Sequence, residues 1–245
     1  MRRRNLAPVV LDNIPFNIDL GSLADKLRVK DSSSYRQDLA QLCNQAVAIG
    51  KPKAYYRPAF VDSRGDDYVI VEGVRLSSRV LAINLVEVNR VFVYVGTCGQ
   101  ELEAWATTFD DLLLRFWADA ISELAMRTAV ASMRQHVTEH YRTGHTVQMN
   151  PGSLTEWPLT EQRPIFELLG DVQSAIGVRL TDSLLMIPRK TVSGIEFPME
   201  ANFASCQLCP REKCPGRRAE YDSAAHEKYH PLVSREPVRP ILYAS

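Results

Sequence analysis

The run Asn150-Pro151-Gly152-Ser153-Leu154-Thr155-Glu156-Trp157-Pro158-Leu159 leads into Phe166-Glu167-Leu168-Leu169. After it come Ile176-Gly177-Val178-Arg179-Leu180-Thr181-Asp182-Ser183-Leu184-Leu185-Met186-Ile187-Pro188 and then Lys190-Thr191-Val192-Ser193-Gly194. Pro151-Gly152 specifies a tight turn, because glycine adopts positive φ without a Cβ penalty and lets other groups come close to the backbone. A helix is expected over roughly 159–169, with Gly170 just past its end; Pro164 sits early, where the N–H groups lack intrahelical partners anyway. Leu184–Ile187 reads as a buried strand. Thr181 and Ser183 alternate on the approach to it, so their hydroxyls should face one side. Ser193-Gly194 reads as a second turn. Two glycine turns and a row of hydroxyls can line a small polar pocket, or can simply join helix to strand.

The elements before this run complete a pattern. Ser32-Ser33-Ser34 can cap a helix ending near Ile49, with Leu39, Leu42, Cys43, Ala46 and Val47 on its apolar side and Gly50 and Pro52 after it. Tyr68–Val71 and Arg90–Val95 are rich in β-branched and aromatic residues, and Gly65-Asp66-Asp67 is a turn signal. Leu112–Tyr141 is the longest helical pattern, uninterrupted by proline or glycine. Phe116, Ala120, Leu124 and Met133 recur near helical spacing, and small residues from Ala118 to Ser132 would let another element pack close. Strand-rich segments on both sides of a long helix, without regular βαβ alternation, predict an α+β fold: a mostly antiparallel twisted sheet with flanking helices.

Composition narrows the function. Of 245 residues, 45% are hydrophobic, enough for a substantial core. Lys plus Arg and Asp plus Glu are each 29, so no net charge draws the chain to nucleic acid or to an anionic membrane. Met1-Arg2-Arg3-Arg4 is basic but precedes no apolar h-region, and no run reaches the ~18 apolar residues of a membrane helix. A cytoplasmic protein is expected. Three of the five cysteines fall within Cys206-Gln207-Leu208-Cys209-Pro210-Arg211-Glu212-Lys213-Cys214-Pro215. In a reducing compartment such crowding points to a metal centre. Cys-x2-Cys followed by Cys-Pro suits an iron–sulfur cluster; zinc is the alternative. The fourth ligand could be Cys43, Cys98, His226 or His230. His136 and His140, four apart on the long helix, could share a metal or form an exposed pair.

The ordered motifs of residues 151–194 resemble the activation (reactivation) domain of cobalamin-dependent methionine synthase: a Pro-Gly turn, a helix ending in Glu-Leu-Leu, Gly-x-x-Leu-Thr-x-Ser, Met-x-Pro and a Val-Ser-Gly close. Weaker similarity reaches back to about Gly96. The cysteine spacing makes 204–245 a Cys-rich metal-binding tail, and the resemblance implies an activation-like unit over 1–203. It also implies a role in corrinoid reactivation or methyl transfer. A corrinoid protein or methyltransferase subunit would supply the cobalamin, an electron donor would be the other partner, and S-adenosylmethionine would be a ligand. By the same resemblance Glu123 and Glu139 face that ligand, with Gln148, Pro151, Gly152, Ser153, Thr181, Ser183, Ser193 and Gly194 around a single pocket; by their spacing Cys206, Cys209 and Cys214 hold the metal. Gln148 stands where the family has an Arg and cannot supply its charge. Ser153 stands at a Tyr position, and Phe203 lies close to a second one.

Overall fold

The computed structural model describes residues 6–30, 34–199, 205–209, 211, 217 and 219–229. The chain opens with a short strand β1 (Val9–Leu11) and two helices, α1 (Leu20–Leu27) and α2 (Tyr35–Ile49). Next come β2 (Lys53–Arg64), β3 (Tyr68–Val71), β4 (Val74–Ser77), the short helix α3 (Arg79–Asn84) and β5 (Arg90–Thr97). Helices α4 (Gln100–Ala106) and α5 (Leu112–Tyr141) follow, then β6 (Thr146–Met149), a 3-10 turn at Leu159–Glu161, α6 (Gln162–Leu169) and α7 (Val172–Ile176). The hairpin β7 (Arg179–Leu180) and β8 (Met186–Ile187), the long strand β9 (Thr191–Pro198) and α8 (Ser223–Tyr229) complete the described elements.

The main sheet runs β4-β3-β2-β5-β9-β6, with β1 beside the first part of β2, and every pairing is antiparallel. The expected α+β class and sheet type are therefore present. Side chains alternate across a strand, and β5 buries both of its faces. Val91, Val93 and Val95 point into a core with Ile165, Leu168, Leu169, Val172 and Ile176 of α6 and α7. Phe92 and Tyr94 point the other way, against Ala129, Met133 and Val137 of α5. This two-sided burial explains why β5 reads as a nearly continuous apolar run. A third cluster joins α1, α2 and α4 to the first half of α5 through Leu23, Leu39, Leu42, Cys43, Leu102, Trp117 and Ile121.

Helix α5 begins where Asp111 accepts from the N–H groups of Leu113 (2.8 Å) and Leu114 (2.9 Å), and ends at Arg142 in the left-handed region. Its bounds coincide with the sequence pattern, and its buried alanines let it lie close on the sheet. The terminal carbonyls of α6 are capped from β2, by the Tyr55 hydroxyl to Leu169 O and the Arg57 guanidinium to Leu168 O, each at 3.0 Å. No helix among the described residues is long and apolar enough to cross a membrane.

Three local expectations need correction. Leu184–Ile187 is not a buried strand: only Met186–Ile187 pairs, Leu184 has φ 65°, and Leu185 is 61% exposed. Thr181 and Ser183 do not alternate on a strand. They sit in the β7–β8 turn, where Thr181 Oγ1 accepts from Leu185 N–H (3.0 Å), because a hydroxyl that bonds nearby backbone competes with ladder pairing. Ser193-Gly194 is not a turn but the middle of β9, opposite Val95 and Tyr94.

Candidate functional site

Directly after β6 the chain makes the expected Pro-Gly turn. Gly152 has φ 82° and donates to Trp157 O (2.7 Å), Ser153 N–H bonds Asn150 O (3.2 Å), and Trp157 N–H bonds Leu154 O (3.1 Å). Trp157 is almost fully buried in the core under the sheet, so its indole anchors the turn from below. Asn150 anchors the near end: its Nδ2 donates to Tyr94 Oη (2.7 Å) and to Ser193 O (2.8 Å). Gly194 makes that approach possible. A Cβ there would fall on the Met149 carbonyl oxygen and lie 2.5 Å from Asn150 Nδ2. Glycine is needed at 194 for close approach, not for a turn.

The turn forms one wall of a cavity of about 560 Å3, and the other wall comes from the described part of the tail. Gly152, Ser153 and Glu156 face Leu208, Cys209 and His226 across it. The tail is held to the body here, with Leu208 buried in the same core as β5 and α6. Among the described residues, no three His, Cys, Asp or Glu side chains are grouped so as to hold a metal ion. Cys214 and Phe203 lie outside the described residues.

Gln148 lies on β6 directly opposite Glu196 of β9. Glu196 is fully buried, with Oε1 accepting from the Thr146 hydroxyl and from Arg134 Nε (3.1 Å). Gln148 Nε2, Glu196 Oε2, Ser193 Oγ and Trp157 Nε1 are buried with no hydrogen-bond partner among the described residues. Ser193 and Gly194 point to opposite faces of the sheet, as strand neighbours must.

Glu123 lies on α5 away from this turn. Arg127 Nη2 is 2.7 Å from its carboxylate and Lys26 Nζ is 3.7 Å away. Burial pushes the Glu123 carboxyl up, but the Arg127 hydrogen bond and the Lys26 and Arg127 charges outweigh it and hold it below the ordinary value. Next to this group Lys190 pairs with Asp119 at 2.7 Å. Glu139 is elsewhere. Sixteen residues of helix separate it from Glu123, about 24 Å at 1.5 Å rise per residue, and it accepts from Gln135 Nε2 (2.8 Å). Thr181 and Ser183 bond each other (3.0 Å) on the exposed hairpin.

Among solved structures, this chain is similar to the crystal structure of the MetH reactivation domain bound to AdoHcy, with a TM-score of 0.56 and 16% identity over 82% of each chain. The fold is that of a MetH reactivation domain. No family model and no curated protein matches the chain.

Within the reactivation-domain fold, the expected single pocket is divided. Gly152 and Ser153 line the cavity with Cys209, and buried Pro151 precedes them; Asn150 reaches the Ser193 carbonyl and packs on Gly194, while Gln148 lies opposite Glu196; Glu123, Glu139 and the Thr181–Ser183 pair line no part of that cavity. For the two carboxylates the physical reason is the length of α5, which no small ligand spans. Sequence reasoning missed Asn150, which precedes the quoted turn and carries a local signal as a turn-former before proline. It also missed Arg134 and Glu196, which are 62 positions apart and carry no local signal. His136 and His140 stack on one another at 5.5 Å, with His136 Nδ1 2.8 Å from the Tyr56 hydroxyl.

Proposed function

We propose that this chain services a corrinoid carried by another protein, as an accessory to reactivation or methyl transfer. The single observation that carries the reading is the shared cavity: Gly152 and Ser153 of the turn line it together with Leu208, Cys209 and His226, on a reactivation-domain fold. In this reading residues 1–203 are the activation-like unit, and residues 204–245 are a tail whose Cys206, Cys209 and Cys214 hold a metal centre. An iron–sulfur centre there would supply single electrons, and S-adenosylmethionine would supply a methyl group. The chain's own residues do the positioning. Asn150 and Trp157 fix the turn, and Gly152 offers a backbone that a ligand can approach closely. The residues fit S-adenosylmethionine poorly at Glu123, since Arg127 and Lys26 already hold the carboxylate that a sulfonium would seek. Weak binding follows. The partners are a corrinoid protein or methyltransferase subunit and an electron donor, in the cytoplasm, where thiols stay reduced.

A second reading, a capping module with structural zinc, draws on the burial of Leu208 beside Cys209, since a metal clasp would brace that packing. The two readings part in one experiment. Anaerobically reconstituted protein is added to reduced cobalamin with S-adenosylmethionine and a chemical reductant, and methylcobalamin is followed by its visible spectrum. Methylation faster than the protein-free control is expected. A spectral change without methylation favours the capping module, and no change in either overturns the corrinoid reading.

A further inference from the structure

We propose that Cys206 and Cys209 are a redox pair that exchanges with a low-molecular-weight disulfide at the cavity and closes into a disulfide of its own. This activity goes beyond the corrinoid role and needs only the residues of one turn.

The two cysteines are three positions apart, and the turn between them is already closed. Cys209 N–H bonds Cys206 O at 3.3 Å. A turn of that kind holds its end Cα atoms within about 7 Å, and a disulfide needs them at ~4.4–6.8 Å. The Arg217 guanidinium donates to Cys206 O (3.1 Å) and to Cys209 O (3.2 Å), so one planar group grips both ends. Between them Gln207 O accepts from Asp222 N–H (2.9 Å), and Leu208 is buried in the core of β5 and α6. With the backbone held at all four residues, joining the thiols orders little further chain, and the loop-closure entropy that opposes most cross-links is small here.

Access separates this pair from the other described cysteines. Cys206 and Cys209 are reduced and partly exposed, and Cys209 lines the cavity with Gly152 and Ser153. Cys43 and Cys98 are buried with α1, α2 and α4, and burial foremost pushes their thiols up, to about 11 and about 12. The thiolate is the reacting form, so those two stay inert. Among the described residues no three His, Cys, Asp or Glu side chains are grouped so as to hold a metal ion; a dithiol needs no third group.

The exchange runs in two steps. Cys209, on the cavity wall, gives its proton to solvent and attacks one sulfur of an external disulfide. That S–S bond breaks, a mixed disulfide forms on Cys209, and the first external thiolate leaves and takes up a proton. Cys206 then gives up its proton and attacks the Cys209 sulfur. The Cys206–Cys209 bond forms, and the second external thiol leaves in the same way. The pair has lost two electrons and two protons, and the external disulfide has gained both. Once closed, the pair offers no thiolate to a metal.

The test uses the full chain, stripped of metal by a chelator, reduced, and equilibrated with glutathione mixtures from fully reduced to fully oxidised. After acid quenching and alkylation, the tryptic peptide that carries both cysteines should appear unalkylated and lighter by two hydrogen atoms as oxidised glutathione rises. It should revert when reduced glutathione is restored, with Cys43 and Cys98 never oxidised. Cys206→Ser, shown to be folded by circular dichroism, should trap one glutathione on Cys209. A wild type that stays a dithiol in oxidised glutathione, that links Cys209 to Cys214 instead, or that keeps glutathione on Cys209 without closing the turn overturns the pair. A parallel sample offered zinc before oxidation separates this activity from the metal centre. Slower closure with zinc puts the metal on the same two sulfurs; closure at an unchanged rate removes the metal centre and leaves the pair standing.

Discussion

Replacing Gly194 by alanine should unsettle the Pro151–Gly152 turn from a distance. Gly194 lies mid-strand in β9, and its missing Cβ is the space into which β6 and Asn150 fit. The added carbon would meet the Met149 carbonyl oxygen and Asn150 Nδ2, the first a backbone atom that cannot rotate away. Overpacking of this kind costs ~1–3 kcal/mol. If Asn150 withdraws instead, it loses its bonds to Tyr94 Oη and Ser193 O, at about 1 kcal/mol net apiece. The two routes are alternatives in part, so about 2–4 kcal/mol is the expected loss. At ~2–4 °C per kcal/mol for a chain of this size, the melting temperature should fall by roughly 5–15 °C. Urea titration followed by tryptophan fluorescence measures the loss of stability, with Trp157 at the turn and Trp105 and Trp117 elsewhere all contributing to the signal. Gly21→Ala is the control. That site is in α1, its nearest neighbour would be Asp19 Oδ1 at 3.3 Å, and helix propensity favours alanine there. A Gly194→Ala protein within about 1 kcal/mol of wild type, on the scale of an ordinary point substitution, would show that the close approach of β6 to β9 is not what fixes the turn.

Other outcomes follow from the same geometry. At pH 8, Cys43 and Cys98 should resist iodoacetamide until the protein is unfolded, as peptide mass spectrometry would show; rapid native labelling of either would contradict their burial. Because folding raises both thiol pKa values from 9.0, to about 11 and about 12, their contribution to stability is whole below pH 9 and is lost as pH rises through those values. Denaturant midpoints should therefore fall above pH 9, and less so in Cys98→Ala. The Arg217 guanidinium donates to the Cys206 and Cys209 carbonyls, so Arg217→Ala should open the Cys206–Cys209 turn to limited proteolysis while leaving the melting of the sheet near wild type; an unchanged digestion pattern would show that those bonds do not hold the turn. Calorimetry with S-adenosylmethionine should give weak binding that Glu123→Gln leaves unchanged, because Arg127 and Lys26 already hold that carboxylate and it lines no part of the cavity beside Gly152. Binding that Glu123→Gln clearly weakens would return Glu123 to the site.

The legible parts of the sequence were those governed by one strong local term. Helix α5 could be read to its last residue because thirty positions run without proline or glycine between an Asp cap and a left-handed stop. Strand β5 could be read because β-branched and aromatic residues fill it. The Pro151–Gly152 turn was equally plain. Gly194 misled because glycine has two uses, and the sequence advertises only the first: positive φ in a turn, or room for a neighbour. Only Asn150, 44 positions upstream, reveals which use applies. Thr181 misled because its hydroxyl closes a local turn in place of continuing a strand. The single pocket failed for a reason arithmetic could have supplied, since two carboxylates sixteen residues apart on one helix cannot meet around one small ligand.

The two walls of the cavity are secured by different physics. The turn is fixed by a nearly buried indole and by Asn150 bonds to two strands, so it moves only if the sheet does. The Cys206–Cys209 turn is fixed by Leu208, with Cys209 and Ala225 packed beside it, by the Asp222 N–H on Gln207 O, and by a guanidinium reaching backbone carbonyls that water could equally serve. Hydrogen bonds of the second kind contribute about 1 kcal/mol each at best, whereas truncating a buried Trp costs ~3–5 kcal/mol. The Cys-bearing wall is therefore the one that gives way first under mild denaturant. What can enter beside Gly152 is set by how far the Leu208 side yields against a turn that the sheet holds.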